Sequence, residues 1–151
     1  MQPTGSSLPE AVDYVLDSHA ILTYLQAEPG DIRVRELLEK ATQEECRLHM
    51  CVVNLGEVMY IVERGAGFAR AEDTLAAIAQ LPIEIADADR ELTLATARLK
   101  AVCPIAYADC FAAALAQTTN ATLVTGDPEF KKLQPEWGVR VEWLDELKSP
   151  C

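Results

Sequence analysis

At 151 residues, 50% hydrophobic and 25% charged, the chain fits one globular domain with a substantial core and leaves no room for a second. No apolar run approaches the roughly 18 residues that span a bilayer, and Met1 to Glu10 has neither the basic nor the apolar region of a signal peptide, so the expectation is a cytoplasmic protein without a membrane partner. The formal charge of -11 argues against a plain polyanion binder, unless carboxylates are gathered to hold divalent cations or Arg and Lys are concentrated on one rim.

In chain order, residues 1–10 read as a flexible lead-in carrying Pro3, Gly5 and Pro9, and residues 11–151 as the single domain. Val12 to Leu16 reads as a buried strand, and Ser18 to Ala27 as a helix stopped by Pro29-Gly30. A second helix opens at Asp31, and Leu48 to Val53 is the second strand. Asn54 opens a helix to about Glu63, and another runs from Gly67 through Gln80. Ile83 to Ala86 is a third strand, followed by a helix with Leu92, Ala95, Leu99 and Val102 on its core face. After Pro104, the alanine-rich helix Tyr107 to Gln117 predicts deep burial. Ala121 to Thr125 and Val139 to Trp143 complete the strands. Strands alternating with helices predict an α/β fold, with a mostly parallel sheet of about five strands covered on both faces.

Four acids fall near predicted helix starts: Asp17 after the first strand, Glu57 one turn into its helix, Asp109 early in the alanine-rich helix, and Asp127 after the fourth strand. Each has a structural explanation, because acids suit helix N-termini. Asp17 can be an N-cap, Asn54-x-x-Glu57 resembles a capping box, and Asp127 before Pro128 is a well-formed N-cap. The set says more than its members. In an open parallel sheet, strand ends and the helix starts after them line one edge, with a crevice where the strand order reverses. Four acids sharing that crevice repel, so some must take up protons or bind a cation.

Oxygen donors with no adjacent His or Cys set point to Mg2+ or Mn2+. Such a cluster suits phosphodiester hydrolysis, in which one or two ions about 3.5 to 4 Å apart generate the attacking hydroxide. Ser18 and Thr125, each beside an acid, are candidates to orient a carboxylate or a coordinated water, or else plain turn hydroxyls. His19 reads as an ordinary helix-start residue. The five cysteines lack a C-x-x-C pair and fit a reducing compartment, and with His19 and His49 they make no zinc set.

Leu16-Asp17-Ser18-His19-Ala20, Asn54-Leu55-Gly56-Glu57-Val58, Ala108-Asp109-Cys110-Phe111-Ala112 and Leu123-Val124-Thr125-Gly126-Asp127-Pro128-Glu129-Phe130 resemble, in order, the four motifs of PIN domains, particularly VapC-type toxins. The resemblance implies a five-stranded parallel sheet between helices, and Asp17, Glu57, Asp109 and Asp127 as a site using Mg2+ or Mn2+ to cut RNA. Asp17 and Asp109 would ligate directly, and Glu57 and Asp127 directly or through water. It also implies homodimers and inhibition by a cognate antitoxin protein. Rival readings are an aspartyl phosphatase or phosphoacceptor, which would want a second acid paired with Asp17, and a non-catalytic acidic interaction module whose acids are only caps. Tyr60, Arg64, Phe68 and Arg70 are candidates to line an RNA-binding face, although Tyr60 and Phe68 also suit a helix's core side.

Overall fold

The structure, a computed structural model, describes residues 12–144; the expected lead-in at residues 1–10 lies outside them. Five strands, β1 (Val12–Leu16), β2 (Cys46–Cys51), β3 (Ile83–Ala86), β4 (Thr122–Thr125) and β5 (Arg140–Trp143), form one sheet in the order β3-β2-β1-β4-β5, with every pair parallel. Parallel neighbours need crossovers, and paired helices supply three of the four: α1 (Ser18–Leu25) with α2 (Asp31–Thr42), α3 (Val52–Ala66) with α4 (Phe68–Ala79), and α5 (Arg90–Val102) with α6 (Tyr107–Thr119). Two short 3-10 turns, Pro128–Lys132 and Pro135–Trp137, make the last connection.

The predicted three-layer α/β arrangement is therefore what forms. Alternation along β1 sends Val15 into the core beneath α5 and α6, and Leu16 into the core beneath α1, α2 and α3. Helix α6 is buried continuously from Asp109 to Ala116, as its alanines predict, because small side chains let a helix lie close against the sheet. Arg33 of α2 donates from Nε and Nη2 to the Glu142 carboxylate at 2.6 and 3.2 Å, fastening the edge strand β5 to the helical layer. Among the described residues no single helix is long and apolar enough to cross a membrane.

Several boundaries differ from expectation. Strand β2 occupies Cys46–Cys51, two residues earlier than the Leu48 to Val53 reading, because its ladder runs from Val12↔Cys46 to Cys51↔Ala86 and the chain then enters α3 directly. Val52 and Val53 look like strand residues by shape but form the first turn of that helix. Asn54 consequently lies inside α3 and caps nothing, which removes the capping-box reading of Asn54-x-x-Glu57. Helix α1 stops at Leu25, short of Ala27, and the chain turns through Ala27 (φ 52°) and Gly30 (φ 100°). A Cβ at Gly30 would stand 3.2 Å from Leu144 Cβ, so this tight turn needs glycine for both backbone and space. Tyr60 and Phe68 are 50% and 66% exposed and so belong to the surface.

Candidate functional site

The strand order reverses between β1 and β4: the chain steps outward from β1 to β2 and β3, then returns on the other side of β1. The C-terminal ends of these two central strands flank the crevice that such a reversal opens. Asp17 directly follows β1, and Thr125 ends β4.

Asp17 is 1% exposed and Thr125 fully buried. Asp17 does cap α1, accepting from the Ala20 amide at 2.8 Å through Oδ1, while its other oxygen, Oδ2, accepts from the Thr125 hydroxyl at 2.6 Å. Thr125 Oγ1 in turn accepts from the Asp127 amide at 3.0 Å, which fixes the start of the turn carrying Asp127. Asp127 caps its 3-10 turn as expected, taking the Glu129 amide at 3.0 Å. The caps are real, but capping leaves the electrostatic behaviour of the acids unexplained.

Glu57 is held from two sides. Ser18 Oγ donates to Glu57 Oε1 at 3.0 Å, and Asn54 Nδ2 donates to the same oxygen at 3.1 Å. Asn54 Nδ2 also donates to the Ala108 carbonyl at 3.1 Å. Asn54 therefore straps the start of α3 to the start of α6, where Asp109 is buried in the first turn. Among the described residues Asn54 Oδ1 is a buried oxygen without a hydrogen-bond partner, so its orientation is dictated by the two donor contacts.

Burial is the main force on the two inner acids. It pushes the Asp17 carboxyl up to about 7, opposed by the hydrogen bonds from Thr125 and Ala20 and reinforced by Asp109 and Asp127. Burial likewise raises Asp109 to about 7, helped by the charges of Asp127, Glu57 and Glu129. The charges acting on both are all carboxylates. Asp109 thus feels the charges of Asp127 and Glu57, Asp17 feels those of Asp109 and Asp127, and Ser18 and Thr125 are hydrogen-bonded to Glu57 and Asp17. Glu129, which lies within the fourth motif, and Asn54, whose sequence context casts it as a cap, are additions to the set. His19 contacts Thr23 within its own helix, at 3.4 Å, and hydrogen-bonds to no acid among the described residues.

By donor chemistry this set fits a hard divalent cation, which would offset both the burial and the repulsion that raise Asp17 and Asp109. Among the described residues no three His, Cys, Asp or Glu side chains lie together as a group that could hold a metal ion as they stand. Cys46, Cys51, Cys103 and Cys110 are free and buried, and burial raises each thiol, with the charge of neighbouring Asp109 adding to the rise at Cys110.

No curated protein matches the chain in sequence. Among solved structures, a chain of the VapBC2 complex of Rickettsia felis bound to a promoter DNA fragment superposes with a TM-score of 0.69 at 20% identity, covering 87% of this chain and 98% of that one. A chain of the DNA-bound VapBC of Salmonella typhimurium gives 0.68 at 21% identity, covering 88% and 98%. VapC20 of Mycobacterium tuberculosis, a sarcin-ricin loop cleaving toxin, gives 0.60 at 12% identity, covering 78% and 92%. At these identities the likeness is one of fold. The PIN domain family model matches residues 14–134, a span that runs from β1 past the turn carrying Asp127 and takes in every acid of the crevice. This chain belongs to the PIN domain family.

Proposed function

We propose that the protein is a divalent-metal-dependent endoribonuclease, the toxin of a toxin-antitoxin pair, with Asp17, Glu57, Asp109 and Asp127 as its catalytic acids. The observation that carries this reading is the pair of buried carboxyls, Asp17 and Asp109, both raised to about 7 at the point where the strand order reverses. Buried acids pressed together by other acids are costly to keep unless a cation uses them. Asp17 and Asp109 would hold Mg2+ or Mn2+ directly, with Glu57 and Asp127 contributing directly or through water. When bound, the ion supplies the positive field for a phosphodiester and makes water a usable nucleophile near neutral pH.

The remaining work falls to the chain itself. Thr125 fixes the rotamer of Asp17, and Ser18 with Asn54 fixes Glu57, so that the acids are aimed before substrate arrives. A cation held by these acids would supply the positive charge that meets a phosphate, so a net charge of -11 is compatible with RNA as substrate. The relatives in fold support the toxin assignment: several are VapBC complexes, and one is a toxin that cleaves the sarcin-ricin loop. By the same token the partner is a cognate antitoxin protein; the homodimer as working form rests on the motif resemblance alone.

The test is cleavage of total RNA by the purified protein with Mg2+, Mn2+ or EDTA, beside folded Asp17→Asn and Asp109→Asn controls. Discrete metal-dependent products that vanish in both controls are the expected result. No cleavage with either metal, and no metal effect on melting, would overturn the reading in favour of a non-catalytic module.

A further inference from the structure

A cleft of about 460 Å3 opens beside β5, lined by Phe130, Lys131, Pro135, Val139, Val141 and Trp143 among others. Trp143 lines it at the C-terminal end of β5. In the β4–β5 register Trp143 stands opposite Thr125, the residue whose hydroxyl holds Asp17. Trp143 also lies on the same face of the sheet, among residues packed against the core that contains Val15 and Phe130. Adjacent strands are about 4.8 Å apart, so Trp143 lies one strand beyond Thr125 and about two beyond the end of β1.

The other wall is tied to the same site. The 3-10 turn capped by Asp127 carries Lys131, an exposed residue whose ammonium lies 5.7 Å from the centre of the Trp143 ring. A cation over a half-buried indole, in a cleft whose other side chains are apolar except Gln134, combines the two elements that hold single-stranded nucleic acid: a flat face for a base and a positive charge for the backbone. The cleft volume falls in the range of small-ligand sites and accommodates one nucleotide.

We propose that this cleft is a nucleotide subsite of the RNA-cutting site. Trp143 stacks the base of a nucleotide next to the scissile phosphate, and Lys131 swings from the indole face to meet that nucleotide's phosphate. The proposal rests on the nuclease reading above. Charge complementarity selects the occupant, since in a chain of net charge -11 this cleft pairs a lysine with an aromatic face beside the acids. Both residues act by positioning substrate and touch no reacting atom.

The test uses steady-state cleavage of a single-stranded oligoribonucleotide containing a site cut by the wild-type protein, with melting recorded for every variant. Trp143→Ala should raise KM roughly five- to a hundredfold, the range expected for losing one stacked base, with kcat nearly unchanged, and Trp143→Phe should restore most of it. Lys131→Gln, at an exposed position and therefore safe for folding, should raise KM and lower the salt dependence of binding by about one counterion. The chain has two tryptophans, so in a Trp137→Phe, Asp109→Asn background Trp143 alone reports. Oligouridylate should quench its fluorescence, and oligothymidylate should do so equally, because base face and phosphate are common to both. Cleavage by the wild type with KM unmoved in both Trp143→Ala and Lys131→Gln, and no quench, overturns the subsite and leaves the nuclease standing. No cleavage by the wild type at all overturns the nuclease first.

Discussion

Thr125 donates its hydroxyl to Asp17 across the boundary between β4 and the end of β1, at 2.6 Å, in a place from which solvent is excluded. This bond is the strongest influence favouring the ionised form of a carboxyl that burial drives the other way. Thr125→Val keeps the shape and removes the donor, so Asp17 should hold its proton more tightly and bind a cation more weakly. The expected loss in Mg2+ affinity is about 10- to 100-fold, read by following the melting temperature against metal concentration near pH 8, with Thr125→Ser recovering most of it.

The raised carboxyls make the metal-free protein sensitive to pH in a defined direction. In the folded state Asp17 and Asp109 titrate near 7, whereas in the unfolded chain they return toward 3.8. Between those values the folded state binds more protons, so stability is greatest below about pH 4 for these two groups and is lost as the pH rises through 7. Urea denaturation in EDTA should therefore show the fold weakening from pH 5 to pH 8, and Mg2+ should reverse most of that loss. A flat profile across this window would show that the two acids are not coupled as described.

Removing one of the repelling acids should stabilise what it disables. Asp109→Asn deletes a buried charge that Asp127, Glu57 and Glu129 all oppose. In EDTA near pH 8 the variant should melt above the wild type, by an amount on the order of 1 to 2 kcal/mol or about 2 to 8 °C, and the gap should close near pH 5. Mg2+ should no longer raise its melting temperature, and cleavage should be abolished. A variant less stable than wild type at both pH values would mean that Asp109 serves mainly as a helix-start acid.

Asn54 offers a separate test, because it reaches both helices that carry site acids. Asn54→Ala frees the Ala108 carbonyl and loosens Glu57, and the expected cost is about 1 to 3 kcal/mol in urea unfolding, the range for stranding a buried polar group. Asn54→Asp should be worse at pH 8 than at pH 5, since it places another carboxylate against Glu57. Activity should fall further than stability alone explains, because the remaining Glu57 contact, from Ser18, comes from one side only.

The acids were legible in the sequence because each sits at a junction with its own local signature, such as Asp17 after an apolar strand or Asp127 before proline. The layered parallel fold followed from the alternation of strand and helix patterns. What escaped notice depends on distance along the chain. Asn54 looked like a cap because its neighbours Val52 and Val53 suit a strand, and its partner Ala108 lies 54 residues away. Trp143 read only as part of a last strand, and its place beside Thr125 is set by a register that the β4–β5 pairing fixes. Tyr60 and Phe68 are exposed although helix periodicity suited them to a core, because α3 and α4 turn those sides away from the sheet.

The contact between Asp17 and Thr125 spans 108 residues, and this places the protein's chemistry late in its own synthesis. At roughly 5 to 20 residues per second, a ribosome that has just placed Asp17 needs about 5 to 20 s more to make the strand that completes the crevice. Until β4 inserts beside β1, Asp17 has lost its buried donor and Asp127 does not yet exist. On the nuclease reading, a chain interrupted anywhere before residue 122 should therefore leave RNA uncut, because it lacks both Thr125 and Asp127.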